Sequence, residues 1–412
     1  MFRLSLFVSL ILTMAISSDA IHAHERSKVV LTPEAMRIHR SALLVDGHND
    51  FPGKVRGKYG FDLKDFDFTT PNPDFHTDIP RLIEGGVGAQ FWVSYVPASF
   101  IKNGGAAKHA FEQIDLIKRF VTGNPQALEM AYSTSDIERI RHEGKIASLI
   151  GVEGGHALEN SVGVLRTLYE VGARYLTLTH SDTIDWADSA TDDPKHDGLN
   201  ELGEQIILEM NRLGMLVDIS HVSADAMRDA LRISKAPIIA SHSSAFSLAQ
   251  TARNVPDDVL KEVAKNNGVV MVNFYPAFIS NEGAKRVQEM FSFWRNLQQD
   301  TTLSEDEKNK RMDEYDQKYP TPPTTVHDVV DHIEHIINIA GIEHVGIGSD
   351  YDGISAAPEQ LEDVSKFPYI TQELLNRGYG EPDITKILGG NFMRAFRAVE
   401  RVAERMQNTQ KL

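Results

Sequence analysis

Eight short apolar runs rich in valine, isoleucine and leucine alternate with longer amphipathic segments along most of this chain. Parallel strands that are buried on both faces have this near-continuous apolar character, and amphipathic segments between them are typical of crossover helices. The predicted strands are Ala42–Asp46, Ala89–Tyr95, Ile146–Val152, Tyr175–Thr179, Leu216–Ser220, Pro237–Ser241, Gly268–Phe274 and His344–Ser349. The helices predicted between them include Ala107–Val121, Ser135–His142, Leu202–Leu213, Ala224–Ile233, Pro256–Lys265 and Val326–Ile339. This order predicts an α/β fold of the (β/α)₈ TIM-barrel type.

No internal repeat, low-complexity tract or long Gly/Ser linker divides the chain, so residues 37–412 are predicted to form a single barrel domain. Residues 280–325 are the exception: they form a highly charged insertion after the seventh strand, with helices predicted at Glu289–Gln299 and Ser304–Tyr315. This insertion could be a lid, an oligomer contact or a solvated excursion. Asp383–Gln407 is predicted to be a closing helix interrupted by Gly389 and Gly390.

The first 20 residues have the pattern of a secretory signal peptide. Arg3 supplies the positive start, residues 4–16 the apolar run, and residues 18–20 a small-x-small cleavage site. The apolar run is shorter than the roughly 20 residues that span a membrane. We therefore expect residues 1–20 to be removed on export, residues 21–36 to form an N-terminal tail, and the mature protein to be soluble, periplasmic or extracellular, without a transmembrane span.

Charge and cysteine usage narrow the classes of partner. The chain has 58 acidic and 42 basic residues and a net charge of −16. This charge repels phosphate backbones and argues against nucleic acid as a partner. The chain has no cysteine, which excludes disulfides and thiolate metal sites, so a metal would have to be held by histidines and carboxylates.

Several predicted strands end in an ionisable residue. Their carboxyl ends lie at the edge of the barrel where barrel enzymes carry their active sites. His48 and Asp50 follow the first strand two residues apart, so they project to the same side of an extended chain and could share an ion. Such a His-x-Asp pair is also common as a loop turn with a capping aspartate. Glu153 ends the third strand before two glycines. Its carboxylate could bridge two cations, or pair with a lysine or arginine of the barrel.

Two further histidines occupy matching positions on neighbouring strands. His221 ends LVDISH and His242 ends PIIASH, each preceded by a serine. A single histidine there would often be a satisfied core residue, but two at adjacent strand ends favour joint ligation of one ion. Asp350, at the tip of the eighth strand, is a candidate metal ligand or proton shuttle, with Asp352 as the second choice.

Two more residues near the predicted mouth are candidates for contacting a substrate. His180 ends the fourth strand and could hold a carbonyl oxygen as negative charge develops, or be an ordinary loop histidine. Arg253 could clamp a substrate carboxylate, or pair with nearby Asp257 or Asp258. His332 and His335 have metal-binding spacing on a helix, but we expect that helix to be exposed and acidic. His22 and His24 are expected in a disordered tail, and His156, His196 and His344 have no partner pattern.

At these residues the sequence resembles the membrane (renal-type) dipeptidase family of zinc peptidases, as a soluble, bacterial-like member, over nearly all of residues 37–400. The segments that carry the resemblance, in the order of the family, are VDGHNDFP, GVEGGHAL, YLTLTHSD with WADS, LVDISHVS, PIIASHSS, ARNVPDD, HVGIGSDYDG and LGGNFMRAF. The resemblance implies two Zn²⁺ per chain, with His48 and Asp50 on one ion, His221 and His242 on the other, and Glu153 bridging them.

The same resemblance implies that His180 contacts the substrate, Arg253 holds its C-terminal carboxylate, and Asp350 handles the proton. Members of the family cleave dipeptides, accept a D-residue at the C-terminal side, and in some cases open β-lactam rings. Animal members use disulfides and a glycolipid anchor, whereas this chain has no cysteine and a polar C-terminus. A disulfide-linked dimer is therefore not expected, and a non-covalent homodimer remains open.

The expected activity is that of a binuclear zinc dipeptidase in which a metal-bridging hydroxide attacks the scissile carbonyl of a dipeptide. One alternative is another metal-dependent barrel hydrolase acting on cyclic amides or β-lactams, although such sites typically open with His-x-His and not His-x-Asp. A second alternative is an exported metal- or peptide-binding protein without catalysis.

Overall fold

The computed structural model of the chain describes residues 26–64, 66–300 and 302–409. The predicted signal peptide, His22 and His24 lie outside the described residues. The described strands are β1 Leu44–Asn49, β2 Val87–Tyr95, β3 Leu128–Met130, β4 Ile146–Glu153, β5 Ala173–Thr177, β6 Leu216–Asp218, β7 Ile239–Ala240, β8 Val269–Val272 and β9 Val345–Ile347. All of their pairings are parallel.

Eight of these strands close into a barrel, which confirms the predicted (β/α)₈ fold. Closure comes from β2 and β4, which pair over seven residues from Ala89–Ala147 to Tyr95–Glu153. The sequence prediction missed β3, which adds to the start of β4 through Leu128–Ile146. Its three residues include one glutamate and are too few to show a period. The observed β1 also extends beyond Asp46 and therefore includes His48.

Helices surround the barrel and connect its strands. The α-helices are Pro33–Ser41, Phe51–Tyr59, Ile79–Glu84, Ser99–Asn103, Ala106–Thr122, Thr134–His142, Val162–Glu170, Glu201–Leu213, Ala224–Ile233, Asp257–Lys265, Pro276–Ile279, Asn281–Gln299, Glu305–Lys318, Val326–Ala340, Pro368–Asn376, Glu381–Thr385 and Asn391–Thr409. Short 3₁₀ turns are Gly155–Leu158, Ile342–His344 and Val364–Lys366. A π-helical turn at Lys386–Gly390 contains the glycine pair that was predicted to interrupt the closing helix.

The closing helix, Asn391–Thr409, covers the amino-terminal end of the barrel. Phe392 and Phe396 are buried in the same apolar cluster as Phe91 inside the barrel, and the Phe91 and Phe392 ring centroids are 5.5 Å apart. Gly389 allows this close packing, because a Cβ there would lie 2.2 Å from the Leu43 carbonyl oxygen. The amino-terminal end of the barrel is therefore filled, and the carboxyl-terminal end is left for function.

The insertion after β8 is a pair of helices, Asn281–Gln299 and Glu305–Lys318. The two helices are held together by a stack of Phe293 on Tyr315, with centroids 4.2 Å apart, and by an Arg286–Asp316 ion pair of 2.9 Å. Phe291, from the first of them, reaches the cavity at the carboxyl ends of the strands. Within the described residues, no helix is long and apolar enough to cross a bilayer.

The expectation of an exposed helix around His332 was wrong. His332 is 1% exposed, and its Nδ1 accepts a hydrogen bond from the Ala245 amide at 2.9 Å. His335 bonds Asp257 through Nε2 at 2.8 Å. Acidic residues around both histidines suggested a solvated face, but the helix packs this side onto the loop that follows β7, a long-range contact that local composition does not report.

Candidate active site and metal centre

The five predicted metal ligands come together at the carboxyl-terminal edge of the barrel. His48 and Asp50, at the end of β1, have Nε2 and Oδ2 3.1 Å apart. Glu153, the last residue of β4, has its Oε1 3.1 Å from Nε2 of His221, 3.4 Å from Nε2 of His242 and 3.6 Å from Nε2 of His48. Five side chains supplied by four strand ends thus converge on one buried point.

The donor atoms at this point fit a divalent cation. Glu153 Oε1 is buried and accepts no hydrogen bond from any residue that the structure describes, and an unpaired buried carboxylate oxygen is costly. The Nε2 atoms of His221 and His242 are 2.9 Å apart. Two imidazole lone pairs cannot face each other at that distance without a proton or a cation between them. Imidazole nitrogens and carboxylate oxygens without thiolates are ligands that zinc accepts.

Three overlapping groups of side chains have donor atoms within 4.8 Å of one another: His48, Glu153 and His242; Glu153, His180 and His221; and His48, Asp50 and Asp350. All five predicted ligands are in these groups. His180 and Asp350, predicted for substrate and proton handling, border the same centre.

Burial and the neighbouring carboxylates shift the pKa values of the ionisable groups in the cluster. Burial raises the pKa of Glu153 to about 8 and that of Asp350 to about 7, against the opposing effect of His48. Burial by itself would lower the pKa of His48, but the carboxylates of Glu153, Asp50 and Asp350 outweigh it and raise this pKa to about 10. Burial holds the pKa of His221 well below its usual range. A divalent cation would supply the positive charge that these carboxylates lack.

Asp350 is aimed at the centre by the backbone. Its amide donates to the His48 carbonyl at 3.1 Å, which continues the β1–β9 pairing past the strand ends. Asp350 and His221 both have left-handed φ, +66° and +67°, a conformation that costs about 1–3 kcal/mol in a residue other than glycine. The Asp350 side chain accepts a 2.8 Å hydrogen bond from Asn273 Nδ2. A Cβ at Gly353 would lie 2.4 Å from Asp350 Oδ1 and 2.3 Å from Asp50 Oδ2, so both carboxylates face the same point.

Arg253 lies against the metal-site cluster and does not pair with the acidic residues that follow it. The residue is 2% exposed, and its guanidinium bonds Ser243 Oγ and the His242 carbonyl at 3.4 Å each. Its Nε has no hydrogen-bond partner in the described part of the chain. Asp257 bonds His335, and Asp258 bonds Arg228. A buried guanidinium that is held loosely has donors left for an anionic ligand.

His180 is neutral and packed into the wall of the site. Burial lowers its pKa to about 3, and the positive charge of Arg253 acts in the same direction. Its ring lies 4.2 Å from that of His221 and 4.7 Å from that of Tyr95, centroid to centroid. Its Nδ1 is 3.2 Å from Ser181 Oγ. A neutral imidazole has one N–H to donate and carries no charge that would compete with a cation.

A cavity of about 1020 Å³ opens above Glu153, His180, His221, His242 and Asp350. Its wall includes side chains that sequence reasoning missed: Tyr95, Tyr275, Phe278 and Phe291. Tyr95 ends β2 and therefore lies at the same edge of the barrel as the histidines, but a tyrosine at the end of an apolar strand gives no metal-binding signal in the sequence. The other three lie around the insertion, whose position over the cavity is a tertiary property. The wall is thus aromatic on one side and charged at its base.

Comparison with known proteins identifies the family. Residues 32–410 match the family model described as Membrane dipeptidase (Peptidase family M19). The chain belongs to the membrane dipeptidase family. It is 39% identical over 366 residues to Dipeptidase tcpJ of Claviceps purpurea (strain 20.1), covering 87% of this chain and 77% of that protein.

Two solved structures share the fold of this membrane dipeptidase family member. The probable dipeptidase PvdM from Pseudomonas aeruginosa has a TM-score of 0.79 at 23% identity, over 90% of this chain and 98% of that one. A metallo peptidase from Rhodobacter sphaeroides, liganded with a phosphinate mimic of the dipeptide L-Ala-D-Ala, has a TM-score of 0.72 at 22% identity, over 87% and 99%. The protein is a metallo-dipeptidase, a hydrolase that acts on peptide bonds, with a metal-binding cluster of histidines and carboxylates.

Proposed function

We propose that this dipeptidase works with two zinc ions per chain, cleaves the peptide bond of dipeptides, and tolerates a D-residue on the C-terminal side. The observation that carries the proposal is the buried Oε1 of Glu153, which lies within 3.6 Å of three imidazole nitrogens and accepts no hydrogen bond. One carboxylate between two pairs of ligands suits a bridged pair of cations.

His48 and Asp50 would hold one ion, His221 and His242 the other, and Glu153 both. Bound zinc supplies Lewis acidity, which makes water more acidic and a carbonyl carbon more electrophilic. Burial lowers the imidazole pKa of His221 and His242 and so keeps these two ligands deprotonated. Loss of protons on binding makes metal affinity fall as the pH falls.

Arg253 would bind the C-terminal carboxylate of the substrate. Its guanidinium is buried, borders the metal ligands through the His242 carbonyl, and faces Phe278 with its carbon 5.1 Å from the ring centroid. A dry site strengthens a charge pair of this kind. The Rhodobacter sphaeroides structure, whose ligand mimics L-Ala-D-Ala, supports tolerance of a D-residue next to that carboxylate.

His180 and Asp350 would act on the reacting atoms. Neutral His180 can donate one N–H to the carbonyl oxygen as negative charge develops there. Asp350 can accept a proton from water and deliver it to the leaving amine, since its carboxylate lies beside His48 and Asp50 and a positioned carboxylate can act as general base and then as general acid.

The test is a substrate panel on purified protein of measured metal content. L,L and L,D dipeptides, the matching dipeptide amides and a cyclic amide are incubated with the enzyme as isolated, after chelation, and after return of zinc, cobalt or manganese. We expect release of free amino acids from both dipeptide series, loss on chelation and recovery with two equivalents of zinc. Cleavage that survives removal of the metal, or cleavage of the cyclic amide alone, would overturn the proposal.

A further inference from the structure

His242, one of the histidines at the metal centre, is tied to a buried carboxylate through a serine hydroxyl. Asp218, the last residue of β6, is fully buried. Four donors point at its carboxylate: the Thr177 hydroxyl at 2.5 Å, the Ser241 hydroxyl at 2.6 Å, the Ser241 amide at 2.7 Å and the Ser220 amide at 3.1 Å. An ionised carboxylate has about four acceptor sites and no proton to donate, so Asp218 can only accept in this network.

The Ser241 hydroxyl transmits this constraint to His242. A serine hydroxyl has one proton and two lone pairs, and the proton is used on Asp218. His242 Nδ1 lies 2.8 Å from the same oxygen. Since that oxygen can only accept from the ring, Nδ1 of His242 must carry the proton. Its Nε2, which faces Glu153 and His221, is then left with the lone pair that a metal needs.

The Tyr175 hydroxyl lies 3.0 Å from Nδ1 of His48. A tyrosine hydroxyl can either donate or accept a hydrogen bond, so this contact does not fix the tautomer of His48. The hydroxyl chain from Asp218 therefore sets the tautomer of His242 alone.

We propose that the Asp218–Ser241 pair is a positioning device that sets the tautomer of His242 and so prepares its Nε2 for metal binding. The inference rests on the metal centre proposed above. Partners that orient ligating histidines in this way typically change metal affinity by about 10–100-fold when removed. Ser241 contacts no substrate in this scheme and acts only through His242.

The barrel contains a matched control. At the β1–β9 junction, Ser349 donates its hydroxyl to buried Asp46 at 2.7 Å and its amide to the same carboxylate at 2.7 Å. Ser349 is as buried as Ser241, yet within the described residues its hydroxyl bonds no imidazole. Ser349→Ala therefore removes the same kind of carboxylate–hydroxyl hydrogen bond without changing the tautomer of a histidine.

The experiment measures zinc affinity of metal-free protein by competition with a chromophoric chelator, together with nitrogen NMR of histidine-labelled apoprotein. We expect Ser241→Ala to weaken zinc binding about 10–100-fold and to remove the fixed Nδ1–H signal of His242, while Ser349→Ala keeps wild-type affinity.

The outcomes separate this inference from the proposed function. Folded Ser241→Ala with wild-type affinity and an unchanged tautomer overturns the inference and leaves the metal centre standing. Equal weakening in Ser349→Ala also overturns it, because burial and not tautomer control would then be responsible. If Ser241→Ala does not fold, the wild-type apoprotein decides: a His242 proton on Nε2 instead of Nδ1 overturns the inference. Wild-type protein that binds no zinc would overturn the proposed function itself.

Discussion

Replacing Asp350 by asparagine isolates proton transfer from metal binding. The amide has the shape of the carboxylate and can still accept the 2.8 Å hydrogen bond from Asn273 Nδ2, so fold and position should be kept. What is lost is the ability to take and return a proton. Only 8% of Asp350 is exposed, so bulk water cannot readily replace it.

We expect kcat to fall by about 10²–10⁴, the usual contribution of a positioned acid or base, which corresponds to about 3–5 kcal/mol of the activation barrier. KM and zinc content should change little. The assay is steady-state hydrolysis of an L,L dipeptide alongside metal analysis of the same sample. Asp352→Asn is the control, because Asp352 lines the same cavity and its Oδ1 accepts a hydrogen bond from the His76 amide. The decrease in kcat for this variant should be clearly smaller.

Three results would refute this reasoning in different ways. Full activity with zinc bound would exclude Asp350 as the shuttle. Loss of one equivalent of zinc would make Asp350 a ligand, the role that its grouping with His48 and Asp50 also permits. A larger defect in Asp352→Asn would transfer the shuttle role to Asp352.

Three further predictions concern the substrate clamp, the packing of the barrel and the effect of pH. Arg253→Lys should lower kcat/KM for dipeptides about 10²-fold, since lysine cannot make the bidentate contact of a guanidinium with the substrate carboxylate. The kcat/KM for dipeptide amides, which lack that carboxylate, should change little. An equal loss of kcat/KM for dipeptides and their amides would refute the role of Arg253 as a carboxylate clamp. Gly348→Ala should lower the free energy of unfolding in urea by more than about 3 kcal/mol, because the added Cβ would lie 1.9 Å from the Ser241 carbonyl oxygen. Gly57→Ala is the control, because a Cβ added there would meet no neighbouring part of the protein within 4 Å; it should be neutral or stabilising by up to about 1 kcal/mol. Burial lowers the pKa of His39 to about 4, so below about pH 6.5 this histidine binds a proton in the unfolded chain but not in the folded one. The free energy of unfolding should therefore fall by about 1.4 kcal/mol per pH unit from this group as the pH drops from about 6.5 towards 4. The His39→Gln variant should show a shallower fall.

The barrel and the location of its site could be predicted from the sequence because both depend on local patterns. Buried parallel strands are written as apolar runs, and the residue that follows each run lies at the carboxyl-terminal edge whatever the details of packing. His48, Glu153, His221 and His242 could therefore be assigned to one edge before any distance was known. Their metal-binding role remains a prediction that the proposed titrations test.

The contacts between residues that are far apart in the chain were decided only by the tertiary structure. Local composition suggested an exposed His332 and left open whether Arg253 paired with Asp257; the folded chain buries both side chains and turns Arg253 to the metal-site cluster. The unpaired oxygen of Glu153 and the hydroxyl chain from Asp218 are set by distances of about 3 Å between residues dozens of positions apart. Hydrophobic periodicity determines which strands form, but it carries no information on such distances, because they arise only when the barrel closes.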